Sequence, residues 1–305
     1  MRTFIARRLG VSLLVLLTIS TLSFVLLKAS GDLAISLAGE GSGADYVAFL
    51  RKTYGWDRPI LVQYADWLWR LLRGDLGTSF YYGSPVLEII AERLPVTLKL
   101  GAFAIFMALG VAFPLGSLAA LRPDGWMDRV AMFIAMVGQA TPIFWFSFVL
   151  ILILGLNLAV LPISGGGTTA HFVMPSIALA FYAMPAIIRI VRGGMIEALA
   201  SDYIRTARAK GLRPWAVIVR HALRNTLVPV VAIASVQFGF LLGGSVVVET
   251  IFALHGIGYL TWEAISQNDY PVVQASVLVV SAFYVVLTLL ADLLNMLIDP
   301  RIRHD

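Results

Sequence analysis

The sequence contains no cysteine, which excludes disulfide bonds, thiolate catalysis and cysteine-ligated metal sites. Charged residues are also scarce, at 13% of the 305 residues, whereas a soluble domain carries about 25%. The hydrophobic share is 59%. Together these departures indicate a membrane protein, so the net charge of +5 is not read as a nucleic-acid signal and no nucleic-acid partner is expected.

Catalytic and metal-binding motifs are missing as well. The sequence has no GxxxxGK[ST] phosphate loop, no GxSG serine and no HExxH pair, so we predict no catalytic residues and no enzyme activity in this chain. The four histidines form no ligand-spaced pair, and no metal site is predicted. They are His171, His221, His255 and His304.

Six stretches are long and apolar enough to span a bilayer, which takes about 20 residues. They lie at about 9–29, 95–119, 130–154, 172–191, 226–248 and 272–298. The first follows three arginines as a signal peptide would, but its apolar run is too long and no small-x-small cleavage site follows. The sequence therefore predicts an all-α integral membrane protein with six transmembrane helices, the first of them retained.

Several of these spans contain glycines or prolines that affect helix packing and shape. Gly239 and Gly243 are four residues apart, a spacing that favours close packing between membrane helices. Prolines bend membrane helices where neighbouring groups satisfy the freed backbone carbonyl. Prolines that interrupt the predicted spans include Pro114, Pro142, Pro185 and Pro229.

The Lys and Arg residues are distributed unevenly across the predicted membrane. With the N-terminus in the cytoplasm, fifteen lie on the inner side and seven on the outer side, all seven in or beside the segment 30–94. The outer loops 155–171 and 249–271 contain none. The positive-inside rule therefore predicts cytoplasmic N- and C-termini, an extracytoplasmic segment 30–94 and a cytoplasmic loop 192–225.

The outer segment 30–94 is rich in aromatic residues. Trp56, Tyr64, Trp67 and Trp69 are typical of groups at headgroup depth. Two compatible interpretations follow: a helix that lies on the outer membrane surface, or a docking surface for an external partner.

The densest cationic stretch, YIRTARAKGLRPWAVIVRHALRN at 203–225, lies between two apolar spans. Ser201 and Asp202 are good helix N-caps, and Gly211 followed by Pro214 suits the end of one helix and the start of the next. The pattern predicts a helix of about ten residues, ~15 Å long and too short to span.

This short helix is predicted to have two different faces. Ala200, Tyr203, Ile204 and Ala207 share one apolar face, whereas Arg205 and its cationic neighbours lie elsewhere. The pattern alone leaves two interpretations open. The helix lies on the membrane surface and satisfies the positive-inside rule, or its apolar face fits a groove of a cytoplasmic partner.

A resemblance to a known family rests on this stretch and on five others. DYIRTARAKGL followed by RHALRNTLVPV resembles the cytoplasmic EAA loop of ABC-importer permeases of the dipeptide/oligopeptide/nickel family. The segments GDLGTSF, RLPVTLKL, LLGGSVVVETIF, NDYPVVQA and DPRIR, at 74–80, 93–100, 241–252, 268–275 and 299–303, resemble that family's first permease subunit. The sequence departs from the family pattern where Arg205-Thr206-Ala207 replaces the Glu for which the loop is named.

The resemblance implies an ABC type I importer permease fold, as one transmembrane domain over 1–305 in the bacterial inner membrane. It also implies a second homologous permease, two ATP-binding subunits that hold ATP and Mg, and an extracytoplasmic solute-binding protein. No cofactor is expected in this chain itself. The resemblance implies that the cytoplasmic loop couples to the ATPase through Tyr203, Ile204, Arg205, Thr206, Ala207, Arg208, Ala209, Lys210 and Gly211.

The cargo implied by the family is a di- or oligopeptide, with nickel or metal chelates and glutathione as alternatives. A stand-alone secondary transporter or channel would favour inverted repeats or a ring of pore charges, and the sequence shows neither. Gln139 and Gln237 lie near the middle of their spans and are candidates for the pathway lining. The other interpretation of these amides is an interhelical hydrogen bond.

The topology is testable with a reporter fusion at Gly43. A reporter that works only outside the cytoplasm is expected to be active there, because the positive charges place 30–94 outside. A fusion at Arg213 is the matched inner control. Activity of a cytoplasm-only reporter at Gly43 would reverse the orientation and remove the coupling loop from the cytoplasm.

Overall fold

The computed structural model describes the backbone of residues 2–29, 31–39 and 41–298. The regular elements within these ranges are helices, and one isolated β-bridge joins Thr78 to Pro85. The segment 299–303, on which part of the family resemblance rests, lies outside the described residues, as does the C-terminus predicted to be cytoplasmic.

The α-helices of the described ranges are numbered in chain order. They are α1 (Arg2–Ala29), α2 (Leu33–Ala38), α3 (Ala44–Tyr54), α4 (Ile60–Leu72), α5 (Val86–Leu121), α6 (Trp126–Ala140), α7 (Ile143–Leu150), α8 (Ala170–Ala200), α9 (Asp202–Ala209), α10 (Pro214–Ala216), α11 (Leu223–Ile251), α12 (Ile257–Ser266) and α13 (Tyr270–Ile298). Two π-helical turns continue the path of the chain, Ile151–Asn157 after α7 and Val217–Ala222 between α10 and α11.

Five helical stretches of the described chain are long and apolar enough to cross a membrane. They are Ala6–Ala29, Val86–Leu121, Ala170–Ala200, Pro214–Ile251 and Tyr270–Met296. A sixth candidate combines Trp126–Ala140 with Ile143–Asn157. These elements overlap the six stretches expected from the sequence, and the membrane boundaries themselves stay predictions.

The third expected span, 130–154, is broken into two helices at Pro142, one of the prolines expected to interrupt the spans. Helices α6 and α7 meet at an angle of 104° across Thr141 and Pro142. Pro142 has no amide hydrogen, and its ring disfavours the helical conformation at the preceding residue. Thr141 accordingly adopts extended angles, φ −85° and ψ 121°. Pro185 and Pro229, in contrast, lie inside continuous helices.

The described chain divides into two compact units. One contains the residues up to Val96 together with Gly256–Val285, and the other contains Thr97–His255 with the residues from Val286 onward. Helices α5 and α13 contribute to both units. The expectation of a single domain over 1–305 stays a prediction.

The first unit has its core where the start of α5 packs on α12 and the start of α13. Val86 and Ile90 are buried together with Ile257, Leu260 and Val272. Because these side chains exclude water from the end of the loop 73–85, they fix the position of that loop within the unit.

Aromatic residues of the outer segment pack on α1. The Phe24 ring lies 5.3 Å from the Tyr64 ring and 5.8 Å from the Trp67 ring, and the Tyr64 hydroxyl is 2.9 Å from Thr21 Oγ1. Trp69, in contrast, is 57% exposed. The segment therefore folds against its own first helix, and Trp69 remains on the surface.

Helix α8 is the central element of the second unit, where it packs on α6 and α11. Glycines allow neighbouring helices to approach it closely. A Cβ at Gly138 would lie 2.9 Å from Pro185 Cγ, and a Cβ at Gly116 would lie 2.9 Å from the Ile188 carbonyl oxygen. Gly243, which the sequence pattern suggested for close packing, is different, because a Cβ there would meet no atom within 4 Å among the described residues.

Replacing Gly116 by Ala tests this close approach. The added methyl group meets backbone and a β-branched side chain of α8, so we expect a loss of about 1–3 kcal/mol of stability. Gly110→Ala is the matched control, since it lies on the same helix with nothing within 4 Å. Thermal unfolding in detergent, followed by tryptophan fluorescence, measures both. Equal midpoints for the two variants would contradict the packing.

Candidate functional site

The loop between α8 and α11 is built around the short helix α9. Helix α8 ends at Ala200, Ser201 adopts extended angles (φ −73°, ψ 155°), and α9 begins at Asp202. The helix has eight residues, compared with about ten expected from the sequence. It remains too short to cross a membrane.

A left-handed glycine ends α9. Gly211 has φ 74°, its amide donates to the Arg208 carbonyl at 3.0 Å, and the Leu212 amide donates to the Ala207 carbonyl at 3.3 Å. These two bonds form a Schellman motif, in which glycine accepts the left-handed angles without steric cost. Pro214 then occupies the first turn of α10, as the sequence predicted.

The burial of α9 corrects one expectation. We expected Ile204 and Ala207 to face a partner, but they are 0% and 5% exposed within the chain itself. Helix α9 packs on α8 and on the π-turn Val217–Ala222, which accounts for this burial. Ile204 and Ala207 therefore hold the loop against its own unit, and the prediction that these two side chains insert into a partner is wrong. Ala200 and Tyr203 of the predicted apolar face are exposed, and the coupling role of the loop stays a prediction.

The rest of α9 is exposed, including Tyr203, which the pattern had grouped with the buried Ile204 and Ala207. Tyr203 is 42% exposed, and its hydroxyl accepts a hydrogen bond from Asn225 Nδ2 at 2.8 Å. Arg205 pairs with Asp202 at 2.7 Å, although both are so exposed that the pair adds little stability. The remaining exposed members of the predicted coupling set are Thr206, Arg208, Ala209, Lys210 and Gly211. We give the name outer face of α9 to the exposed residues Tyr203, Arg205, Thr206, Arg208, Ala209, Lys210 and Gly211.

Two apolar residues that the sequence analysis missed lie beside this face. Trp215 is 73% exposed and Leu212 is 41% exposed. Large exposed apolar groups in a charged loop are typical of protein contact sites, where tryptophan often contributes most of the binding energy. The signal was present in the sequence as a Trp directly after the Pro that begins α10.

A bidentate ion pair joins the start of α6 to α8. Arg192 Nε donates to Asp128 Oδ1 at 2.5 Å, and its Nη2 donates to Oδ2 at 2.7 Å. Asp128 is 3% exposed and also accepts the Asp124 amide at 2.8 Å. A buried pair satisfied in this way fixes the relative position of the two helices. Charge counting treated Arg192 only as an inner positive charge, so this contact was missed.

The two candidate pathway glutamines occupy different environments. Gln237 is 8% exposed, and its Nε2 donates to the Ala183 carbonyl at 3.3 Å, which is an interhelical hydrogen bond. Gln139 is exposed, and its Oε1 accepts from Arg189 Nη1 at 2.7 Å. Gln237 therefore fits the interhelical interpretation, and the lining role of Gln139 stays a prediction.

A second polar cluster, also missed from the sequence, lies in the first unit. Asp269 is fully buried and accepts hydrogen bonds from Ser79 Oγ and from the amides of Phe80 (3.1 Å) and Tyr81 (3.3 Å). It joins two of the segments on which the resemblance rests, GDLGTSF and NDYPVVQA. The signal was an acid in an outer loop without Lys or Arg, which required hydrogen-bond donors from elsewhere in the chain.

The Tyr82 hydroxyl lies near this cluster and donates to Glu263 Oε2. Desolvation raises the pKa of Tyr82, and the hydrogen bond and negative charge of Glu263 raise it further. The tyrosine therefore stays protonated and retains its donor role across the physiological pH range.

Within the described residues, no group of three His, Asp or Glu side chains is placed to hold a metal ion. The polar groups of the second unit are instead helix-to-helix contacts and an exposed cationic loop.

Comparisons with known proteins place these features in a family. Residues 112–304 match the family described as binding-protein-dependent transport system inner membrane component, and residues 1–101 match the corresponding N-terminal model. The chain belongs to this family. It is thus a multi-pass membrane permease of the ABC importer type, and the permeases of this family are transport components.

Several curated relatives are similar over their whole length. A putative peptide transport system permease of Brucella abortus is 37% identical over 314 residues, covering 100% of both chains. The oligopeptide permease AppB of Bacillus subtilis is 39% identical over 317 residues, again covering 100% of both. The dipeptide permease DppB of Escherichia coli is 36% identical, covering 100% of the permease described here and 99% of its own chain.

Solved structures share the fold. The MetNI methionine ABC transporter, in an inward-facing conformation, matches with a TM-score of 0.58 at 20% identity. The match covers 70% of the permease and 97% of that chain. The permease therefore has the ABC type I importer permease fold predicted from the resemblance.

Ala207→Glu tests the corrected orientation of α9. The variant places a carboxylate in a buried site, so we expect a loss of roughly 3 kcal/mol or more in the isolated permease. Thr206→Glu is the matched control on the exposed face and is expected to change stability by less than ~0.5 kcal/mol. Thermal unfolding without any partner subunit distinguishes them. Equal unfolding midpoints for the two variants would mean that Ala207 lies on the surface.

Proposed function

We propose that the permease forms half of the translocation pathway of an ATP-driven importer in the bacterial inner membrane. A second homologous permease supplies the other half, and two separate subunits bind ATP and Mg and hydrolyse ATP. An extracytoplasmic binding protein delivers the solute. Support comes from the family, which is described as binding-protein-dependent, and from the type I importer fold.

The proposed cargo is a di- or oligopeptide. The observation that carries this choice is the full-length similarity, at 36–39% identity, to relatives named as peptide, dipeptide or oligopeptide permeases. Nickel or metal chelates and glutathione remain the alternative cargoes within the family resemblance.

The outer face of α9 is proposed to contact an ATP-binding subunit. It presents Arg205, Arg208 and Lys210 to solvent, with Leu212 and Trp215 exposed beside them. A cationic face with an apolar anchor fits a partner groove that carries acidic residues around an apolar pocket. Because Ile204 and Ala207 fasten α9 to its own unit, movement of the partner would be transmitted to α8 and α11.

Reconstitution tests the function and the cargo together. The permease, its second permease, the ATP-binding subunits and the binding protein are placed in liposomes, and uptake of labelled dipeptides is measured with and without ATP. We expect uptake that requires both ATP and the binding protein. Uptake of a nickel chelate or of glutathione in place of peptides would overturn the peptide assignment, and uptake without the ATP-binding subunits would overturn the importer proposal.

Arg208→Glu tests the contact proposed for α9. Reversing an exposed charge at an electrostatically complementary interface costs several kcal/mol of binding, so we expect at least about a tenfold loss of ATP-binding subunits in co-purification. Insertion and thermal stability of the permease should stay unchanged, since Arg208 is exposed.

Arg129→Glu is the matched control, because it reverses an exposed charge on α6 outside the proposed contact. Co-purification at the wild-type level with Arg208→Glu, or an equal loss with Arg129→Glu, would contradict a contact through the outer face of α9.

A further inference from the structure

Arg189, counted above with the inner positive charges, lies two residues before the predicted cytoplasmic end of the span 172–191. It lies on α8, its side chain is exposed, and its Nη1 donates to Gln139 Oε1 at 2.7 Å. Among the described residues, no carboxylate lies within ion-pair distance of it. A neutral amide satisfies one of the five guanidinium donors and leaves the charge uncompensated.

The guanidinium of Arg189 points away from the end of α8 that leads into α9. Three residues further along α8, Arg192 binds Asp128 at the start of α6, whereas Gln139 lies eleven residues beyond Asp128. At 1.5 Å per residue, Gln139 is ~16 Å along α6 from the Arg192 pair. The direction agrees with helix geometry, since side chains tilt toward the N-terminus of their helix.

This direction distinguishes Arg189 from a snorkelling arginine, whose side chain extends toward the lipid headgroups. A lipid phosphate lies at headgroup depth, and an arginine near a helix end normally extends toward it. On the predicted topology, that level is at the Asp128–Arg192 pair, from which the Arg189 guanidinium points away. An exposed charge at greater depth requires water or an anionic group brought there by a protein or a solute.

The break in the sixth candidate span lies directly beside this cation. Gln139 is followed by Ala140, Thr141 and Pro142, where the chain turns by 104°. Non-helical backbone at membrane depth is tolerated where it is buried in protein or lines a water-filled cavity. Transporters use such breaks to place binding groups near the middle of the membrane.

We infer that Arg189 and Gln139 form a binding site for the carboxylate group of the cargo within the translocation pathway. The inference rests on the proposed function and adds the residues that meet the cargo. Arginine has donors only, so Gln139 must turn its oxygen toward Arg189, and its amide N–H groups remain available. A carboxylate placed between them receives hydrogen bonds from both side chains and neutralises the guanidinium charge.

The first experiment compares a dipeptide with its C-terminal amide in the reconstituted transporter. Wild type, Arg189→Gln and Arg189→Lys are assayed for ATP-dependent uptake of both compounds, with Arg129→Gln as the control for losing a positive charge elsewhere. We expect Arg189→Gln to lower uptake of the free acid at least tenfold and of the amide less than twofold. Arg189→Lys should retain part of the acid uptake, and Arg129→Gln should match wild type.

The second experiment does not depend on delivery of the amide. A dipeptide with a photoreactive p-benzoylphenylalanine at its C-terminus is delivered by the binding protein, and the labelled positions are mapped by mass spectrometry. We expect labels near the break at 139–142 in wild type and their loss in Arg189→Gln. Labels elsewhere, or labels that Arg189→Gln leaves unchanged, would overturn the inference.

The remaining outcomes also decide between explanations. If wild type takes up no peptide at all, the proposed function fails before the site is reached. If Arg189→Gln no longer co-purifies with the second permease, the counter-charge belongs to that subunit. If Arg189→Gln lowers acid and amide uptake equally, or changes only the response to anionic lipid, its role is structural or lipid-binding. Loss of co-purification, an equal loss of acid and amide uptake, and an effect confined to anionic lipid each overturn carboxylate recognition.

Discussion

The close packing of α8 is the interaction on which the second unit depends. Two glycines, Gly116 and Gly138, let neighbouring backbone come within contact distance of α8 between Phe181 and Val191, so this part of the helix is held by close packing. In a membrane, helices gain little from excluding water, and close van der Waals contact becomes a main source of association. Arg189 and Arg192 both extend from α8, and its C-terminus continues directly into α9. The functional groups of the unit therefore share one rigid support.

Much of this architecture follows from the sequence by simple arguments. Apolar length located every candidate span, and Gly211 with Pro214 located the end of α9 and the start of α10. The same reasoning named Pro142 among several prolines that bend their spans, but it did not say that this one would break its helix. Proline appears in several spans, and only the extended conformation of the preceding residue decides that this one breaks the helix. That choice depends on tertiary packing, which periodicity does not describe.

The polar contacts show the second limit of sequence reasoning. Asp128 and Arg192 are 64 residues apart, and Asp269 reaches Ser79 across 190 residues. A pattern identifies such residues as unusual, yet it carries no information on which distant donor meets which acceptor. The orientation of α9 illustrates the same point. Periodicity placed Ile204 and Ala207 together on one face, but it also grouped the exposed Ala200 and Tyr203 with them. It did not distinguish side chains buried within the chain from side chains available to a partner.

The Schellman turn at Gly211 has a mechanical consequence. Helix α9 is anchored by Ile204 and Ala207 on one face, and its last turn is closed by two backbone hydrogen bonds. The C-terminal end of α9 is therefore fixed, whereas Ser201 joins its N-terminal end to α8 in an extended conformation. Because α9 packs on both α8 and the π-turn Val217–Ala222, a displacement of α9 must either move these two elements with it or break its contacts with them.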